Sequence, residues 1–141
     1  MKRLLLLISI LALALVPIGC NVNVQGMIQN AIENALAGLR ANYTIEVTDT
    51  EGFIFTGRYV VVTAAYDPVN YVALDSTSYD VVSENISRQY TVTNAISVGG
   101  MFQKLSVNGT LTVKILKDSV EVDSASTMEP FGAVLVTAVK E

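Results

Sequence analysis

The chain of 141 residues contains no histidine and one cysteine, Cys20. Ser-His-Asp and Cys-His arrangements need an imidazole, so that nucleophile–base chemistry is excluded. Zinc and copper sites of the usual kind lose their main ligands for the same reason. Carboxylates, phenols and hydroxyls remain. The acids Asp49, Glu51, Asp67, Asp75, Asp80, Glu84, Asp118, Glu121, Asp123 and Glu129 fall mostly at turn signals or on the polar side of strand patterns. Solvation is their ordinary explanation, although a pair of them could in principle serve glycoside hydrolysis. Asp67, Asp75 and Asp80 would have to meet in one loop to offer oxygens to calcium, and their spacing matches no EF-hand. No catalytic residue, metal site or cofactor is expected. Tyr66, Tyr71 and Tyr79 flank the same stretch and form a candidate binding loop, because tyrosine offers contact area at low entropic cost. The more common role of such residues is to pack a loop onto the core.

Cys20 closes a distinctive segment. Lys2 and Arg3 precede an apolar run from Leu4 to Val16, and Pro17-Ile18-Gly19-Cys20 follows. A basic start, an apolar stretch and a small residue before the cut are the marks of a secretory signal. Pro17-Ile18-Gly19-Cys20 resembles the lipobox of bacterial lipoproteins, with Pro17 standing where leucine is usual. The resemblance covers the first twenty residues. It implies a signal peptide over 1–19, lipid modification of Cys20 and residence outside the cytoplasm on a membrane of the cell envelope. The alternatives are an uncleaved anchor, for which the run is slightly short of the roughly 20 residues that span a bilayer, and plain secretion.

A chain beginning at Cys20 is long enough for one domain with its own core. Apolar residues make up 51% of the sequence and charged residues 16%. This predicts a well-buried fold with a weakly charged surface. A net charge of −4 supplies no basic patch for phosphates, so nucleic acid is not an expected partner. No disulfide within the chain is available, and packing must carry stability.

After a short tether from Asn21 to Asn23, apolar residues recur at helical spacing from Val24 to Ala41. Met27, Ile28, Ala31, Ile32, Ala35, Leu36 and Leu39 form one stripe, with Gln25, Asn30, Glu33 and Asn34 opposite. Asn23 is the expected N-cap and Asn42 the expected stop. From Tyr43 the period falls to two and β-branched residues dominate. Strands are predicted over Tyr43–Thr48, 53–65 (central, with Val60-Val61-Val62 apolar on both faces), Ile86–Thr93, Ala95–Val107 with a bulge at Gly99-Gly100, and Phe131–Val139 inside a sheet. The segment from Asp67 to Asp80 reads as the longest irregular piece, with a short strand from Tyr79 to Ser83. Asn108-Gly109 is a turn signal. In the hairpin after it, a turn at Lys117-Asp118 would set Ile115 against Val120 and Val113 against Val122. The Asn-x-Ser/Thr triplets at Asn42, Asn85 and Asn108 read as turn-forming asparagines.

Seven or eight strands without intervening helices predict a mainly β protein: an antiparallel, immunoglobulin-like sandwich over 43–141, preceded by one amphipathic helix within 20–42. The expected role is binding or assembly at the envelope, with a partner of unknown kind, the chain being tethered through lipid on Cys20. Tyr90-Thr-Val-Thr93 and the hairpin from Ile115 to Val122 are similar to features of the small exported β-sandwich proteins that accompany mycobacterial lipid transporters. That likeness implies, as a second expectation, an accessory subunit of an envelope transporter. A small carboxylate-dependent hydrolase is the third.

Overall fold

The computed structural model describes residues 24–51, 54–83 and 87–139. Cys20, the lipobox-like segment, Asn23, Glu84 and Asn85 lie outside the described residues. Helix α1 (Val24–Leu39) is followed by eight strands: β1 (Ala41–Asp49), β2 (Phe55–Asp67), β3 (Tyr71–Ser83), β4 (Ser87–Ala95), β5 (Ser97–Lys104), β6 (Leu111–Lys117), β7 (Val120–Thr127) and β8 (Ala133–Val139). They form two four-stranded sheets, ordered β4-β1-β6-β7 and β3-β2-β5-β8, and every pairing is antiparallel. The protein is mainly β and sandwich-like, as the period-two pattern predicts.

Alternation builds the core. Tyr43, Ile45 and Val47 of β1 meet Leu111, Val113 and Ile115 of β6, all essentially inaccessible. Phe55 and Val61 of β2, Val98 and Phe102 of β5, and Val134 and Val136 of β8 cover them from the other sheet. Phe102 needs space from its neighbours: a Cβ on Gly57 would sit 2.5 Å from its ring, and one on Gly100 would sit 2.6 Å from it. Gly99-Gly100 is therefore a site of close packing, not the expected bulge. The ladders to β2 and β8 run through it without a shift.

Three further expectations are corrected. The segment after Asp67 is not irregular: Tyr71–Ser83 is a 13-residue strand in continuous register with β2. Its alternation was hidden because both of its faces are polar or half-polar. The β6–β7 turn falls at Asp118-Ser119, both with positive φ (48° and 71°). Lys117 therefore opposes Val120, and a bulge between Ile115 and Leu116 sets Ile115 against Asp123 and Val113 against Ala125. Val120 and Val122 are consequently exposed. Finally, β8 lies at an edge of its sheet, where contact with β7 covers it and Asp123 accepts the Thr137 N–H at 2.7 Å. Val134, Val136 and Ala138 face the core, while Leu135 and Val139 on the other face are exposed.

The helix ends at Leu39, earlier than expected, and Asn42 belongs to β1. The row Ile28, Ile32, Leu36 packs on Ala64, Tyr66 and Ile96, while Met27 and Ala31 of the expected stripe are exposed. Beyond Val62, β2 extends past its pairing with β5. There α1 takes over: Glu33 accepts the Tyr66 N–H at 3.2 Å and Arg40 donates to the Ala64 carbonyl at 2.7 Å. No helix among the described residues is long and apolar enough to cross a membrane.

Candidate functional site

The β7–β8 side of the sandwich is closed by direct contact, whereas β3 and β4 are edges on the opposite side. Between them opens a cleft of about 330 Å³ lined by Tyr59, Tyr79 and the hydroxyl-bearing Thr63, Thr77, Thr91 and Thr93, with Val61 and Val92 at its floor. The rings form a chain. Tyr79 stacks on Tyr59 at 4.8 Å, Tyr59 lies 5.3 Å from Tyr90, and Tyr90 lies 6.4 Å from the buried Phe102. The cross-strand register produces the first pair, since Tyr59 lies opposite Tyr79. Burial pushes the Tyr59 hydroxyl above its ordinary pKa, helped by Tyr79, and burial does the same at Tyr90. At physiological pH these are neutral donors and contact surfaces.

The outer side of the cleft is β3 itself. Every residue from Tyr71 to Asp80 is exposed, and among the described residues no strand lies beyond β3 in its sheet. One row of backbone N–H and C=O groups is thus left open to another strand. Arg58 of β2 holds Asp80 at 2.6 Å, and this hydrogen bond keeps the Asp80 carboxyl below the ordinary carboxylate range.

The tyrosines predicted as one binding loop are divided by this geometry. Tyr79 belongs to the cleft. Tyr66 packs against α1, and Tyr71 begins β3 with φ 66° beside the tip of the hairpin. The only turn between the long strands is 68–70, closed by Asp67, whose carboxylate accepts the Val69 and Asn70 N–H groups at 2.8 and 2.5 Å. Asp67, Asp75 and Asp80 do not converge. Asp75 and Asp80 lie five strand residues apart, roughly 17 Å at the usual rise. No group of three or more His, Cys, Asp or Glu side chains fit to hold a metal occurs among the described residues.

Two buried charged groups at the opposite end of the sandwich escaped the sequence reading. Lys104, fully inaccessible, donates to the carbonyls of Gly109 at 2.6 Å, Met128 at 3.0 Å and Asn108 at 3.3 Å. Its three protons are satisfied by two loops that it joins. Asp49, equally buried, accepts the Glu51 N–H at 2.9 Å through Oδ1, while its Oδ2 has no hydrogen-bond partner among the described residues. Gly109, at φ 82°, makes room for Asp49: a Cβ there would lie 3.1 Å from Oδ1. The signal available in the sequence was Lys104 at an inward position of β5, in phase with Val98 and Phe102. The arrangement is a structural clasp. Lysine protons aimed at carbonyls leave no lone pair for nucleophilic or base chemistry.

No protein-family profile, curated protein or solved structure matches the chain.

Proposed function

We propose that this protein is a lipid-anchored, extracytoplasmic β-sandwich that acts by binding or assembly at the cell envelope. The observation that carries the reading is strand β3, whose stretch Tyr71–Asp80 is exposed throughout and, among the described residues, has no strand along its outer edge. Soluble proteins ordinarily shield such an edge with bulges, proline, charge or cover. β3 has a continuous register, no proline, and two acids, one of them held by Arg58. The anchor rests on the N-terminal pattern ending at Cys20. The helix that follows it reads as the link between anchor and sandwich, since α1 is bound to β2 through Glu33 and Arg40.

The test uses the full chain in its membrane. A photo-cross-linking amino acid at Leu74, on β3, is expected to give a discrete adduct. The same group at Thr48, exposed on the polar outer face of the other sheet, is expected to give none. Equal labelling at the two sites, or none at either, would remove the binding role of β3. Cys20→Ser is expected to abolish lipid labelling and release the protein; a variant that stays anchored and unchanged defeats the lipoprotein reading.

A further inference from the structure

Resting on the reading of β3 as a binding edge, we infer that its partner is a second copy of this chain. Two β3 strands would pair antiparallel about a two-fold axis at Thr77, joining two sheets into one of eight strands. The requirement for a strand follows from chemistry: an open row of alternating backbone donors and acceptors is satisfied along its length only by another extended backbone. The choice of a second copy follows from the register. In a two-fold antiparallel pair, residues directly opposite each other point to the same side. The sum of their numbers is therefore even. The register centred on Thr77 pairs the eleven residues Val72–Val82 and leaves out the buried Ser83.

That register is self-complementary. It sets Val72 against Val82 and Ala73 against Val81, so apolar meets apolar near both ends. Val82 is 72% exposed and Leu74 is 68% exposed in the single chain. Asp75 meets Tyr79 and Asp80 meets Leu74, so neither acid faces an acid. Ser76 meets Ser78 beside the axis. Like charges directly opposite would destabilise the pair, and every register centred on Asp75 or Asp80 would create that contact. The other edges are less suited. β8 is covered by β7 and capped by Asp123. β4 is nine residues long, carries Arg88, has Asn94 at φ 58°, and is irregular in register near Ala41 and Tyr43 of β1. The pairing would also place a neighbouring strand along the outer side of the Tyr59–Tyr79 cleft.

Thiol cross-linking on full-length chains in membranes tests the axis. Thr77→Cys is expected to give a covalent dimer with a short thiol–thiol cross-linker, because opposed Cβ atoms across the axis lie about 5 Å apart. Leu74→Cys is expected to stay at the background of the unaltered chain, which carries only Cys20. Its two copies would lie roughly 20 Å apart, six residues along the strand. A mixture of Val72→Cys and Val82→Cys chains is expected to cross-link to each other. Adding Ser76→Lys and Ser78→Lys to Thr77→Cys is expected to abolish its dimer, and Ser76→Glu with Ser78→Lys to restore it. Absence of the Thr77→Cys dimer, equal cross-linking at Leu74→Cys, or no effect of the double lysine variant overturns the proposal. If Thr77→Cys stays monomeric while a photo-adduct at Leu74 contains a different protein, self-pairing fails and the binding role stands. If neither adduct forms, both fail.

Discussion

Lys104 decides how two loops close over one end of the sandwich. Bringing an ammonium group out of water costs several kcal/mol, and only full hydrogen bonding offsets it. Three carbonyl partners meet that need. Lys104→Met would relieve the buried charge but leave the Gly109 and Met128 carbonyls without that donor. Unsatisfied buried acceptors cost about 1–3 kcal/mol each. The variant is expected to lose about 3 kcal/mol in denaturant unfolding, and a loss below about 1 kcal/mol would mean that the loops close without the clasp. At the β6–β7 turn the cost is conformational. Asp118 and Ser119 both occupy the left-handed region, the geometry of a two-residue type I′ turn, which favours glycine. Ser119→Gly is expected to raise stability by about 0.5 kcal/mol, seen as a higher unfolding midpoint with an unchanged denaturant slope.

At the scale of elements, the β2–β3 hairpin and α1 depend on each other. β2 outruns β5 by several residues, and the helix supplies the hydrogen-bond partners and apolar cover that a fifth strand would otherwise give. This explains why one side of the helical stripe stays exposed: edge contact needs only the row Ile28, Ile32, Leu36. β3 lies at the end of its sheet, and Tyr71–Asp80 is exposed on both faces. A strand of this kind has no hydrophobic alternation, and this is why Asp67 to Asp80 reads as irregular in the sequence although its backbone is the longest continuous ladder in the molecule.

For the whole molecule, the phenols of Tyr43, Tyr59 and Tyr90 bear on stability at alkaline pH. Burial raises the Tyr43, Tyr59 and Tyr90 hydroxyls above the ordinary tyrosine value, with Asp118 adding to the effect at Tyr43. A group whose folded pKa is raised contributes stability that is fully present below its unfolded pKa, near 10, and is lost as pH rises toward the folded value. Stability is therefore expected to fall above about pH 10, and ultraviolet titration is expected to show tyrosinate forming at Tyr43, Tyr59 and Tyr90 above the ordinary tyrosine range. A single wave at the ordinary value, or alkaline stability that does not fall, would contradict the burial of these rings. The exposed pairs Arg58–Asp80 and Lys114–Glu121 act at the acid end with the opposite sign. Their carboxyls are held low, so their contribution is lost as pH falls through the carboxylate range. At this exposure screening keeps it small.

Alternation in the sequence was enough to determine the two-sheet β class, the inward set Ile45, Val47, Leu111, Val113 and Ile115, the central place of β2 and the helix near the N-terminus, because burying one face of a strand forces a period of two. The N-terminal segment carries the expectation of export, since the Lys2–Cys20 pattern is local and independent of folding. Which edges stay bare, where the β6–β7 turn falls, and which charged groups go inside were decided by tertiary structure alone. The bulge between Ile115 and Leu116 sets Asp123 rather than Val122 against Ile115 and leaves Val122 at the surface, because one inserted residue reverses the facing of a strand. Lys104 and Asp49 became interior groups because two loops meet around them. The edge of β3 became the candidate binding surface because β2 pairs along one side of it and, among the described residues, no strand pairs along the other, a relation that no local pattern records.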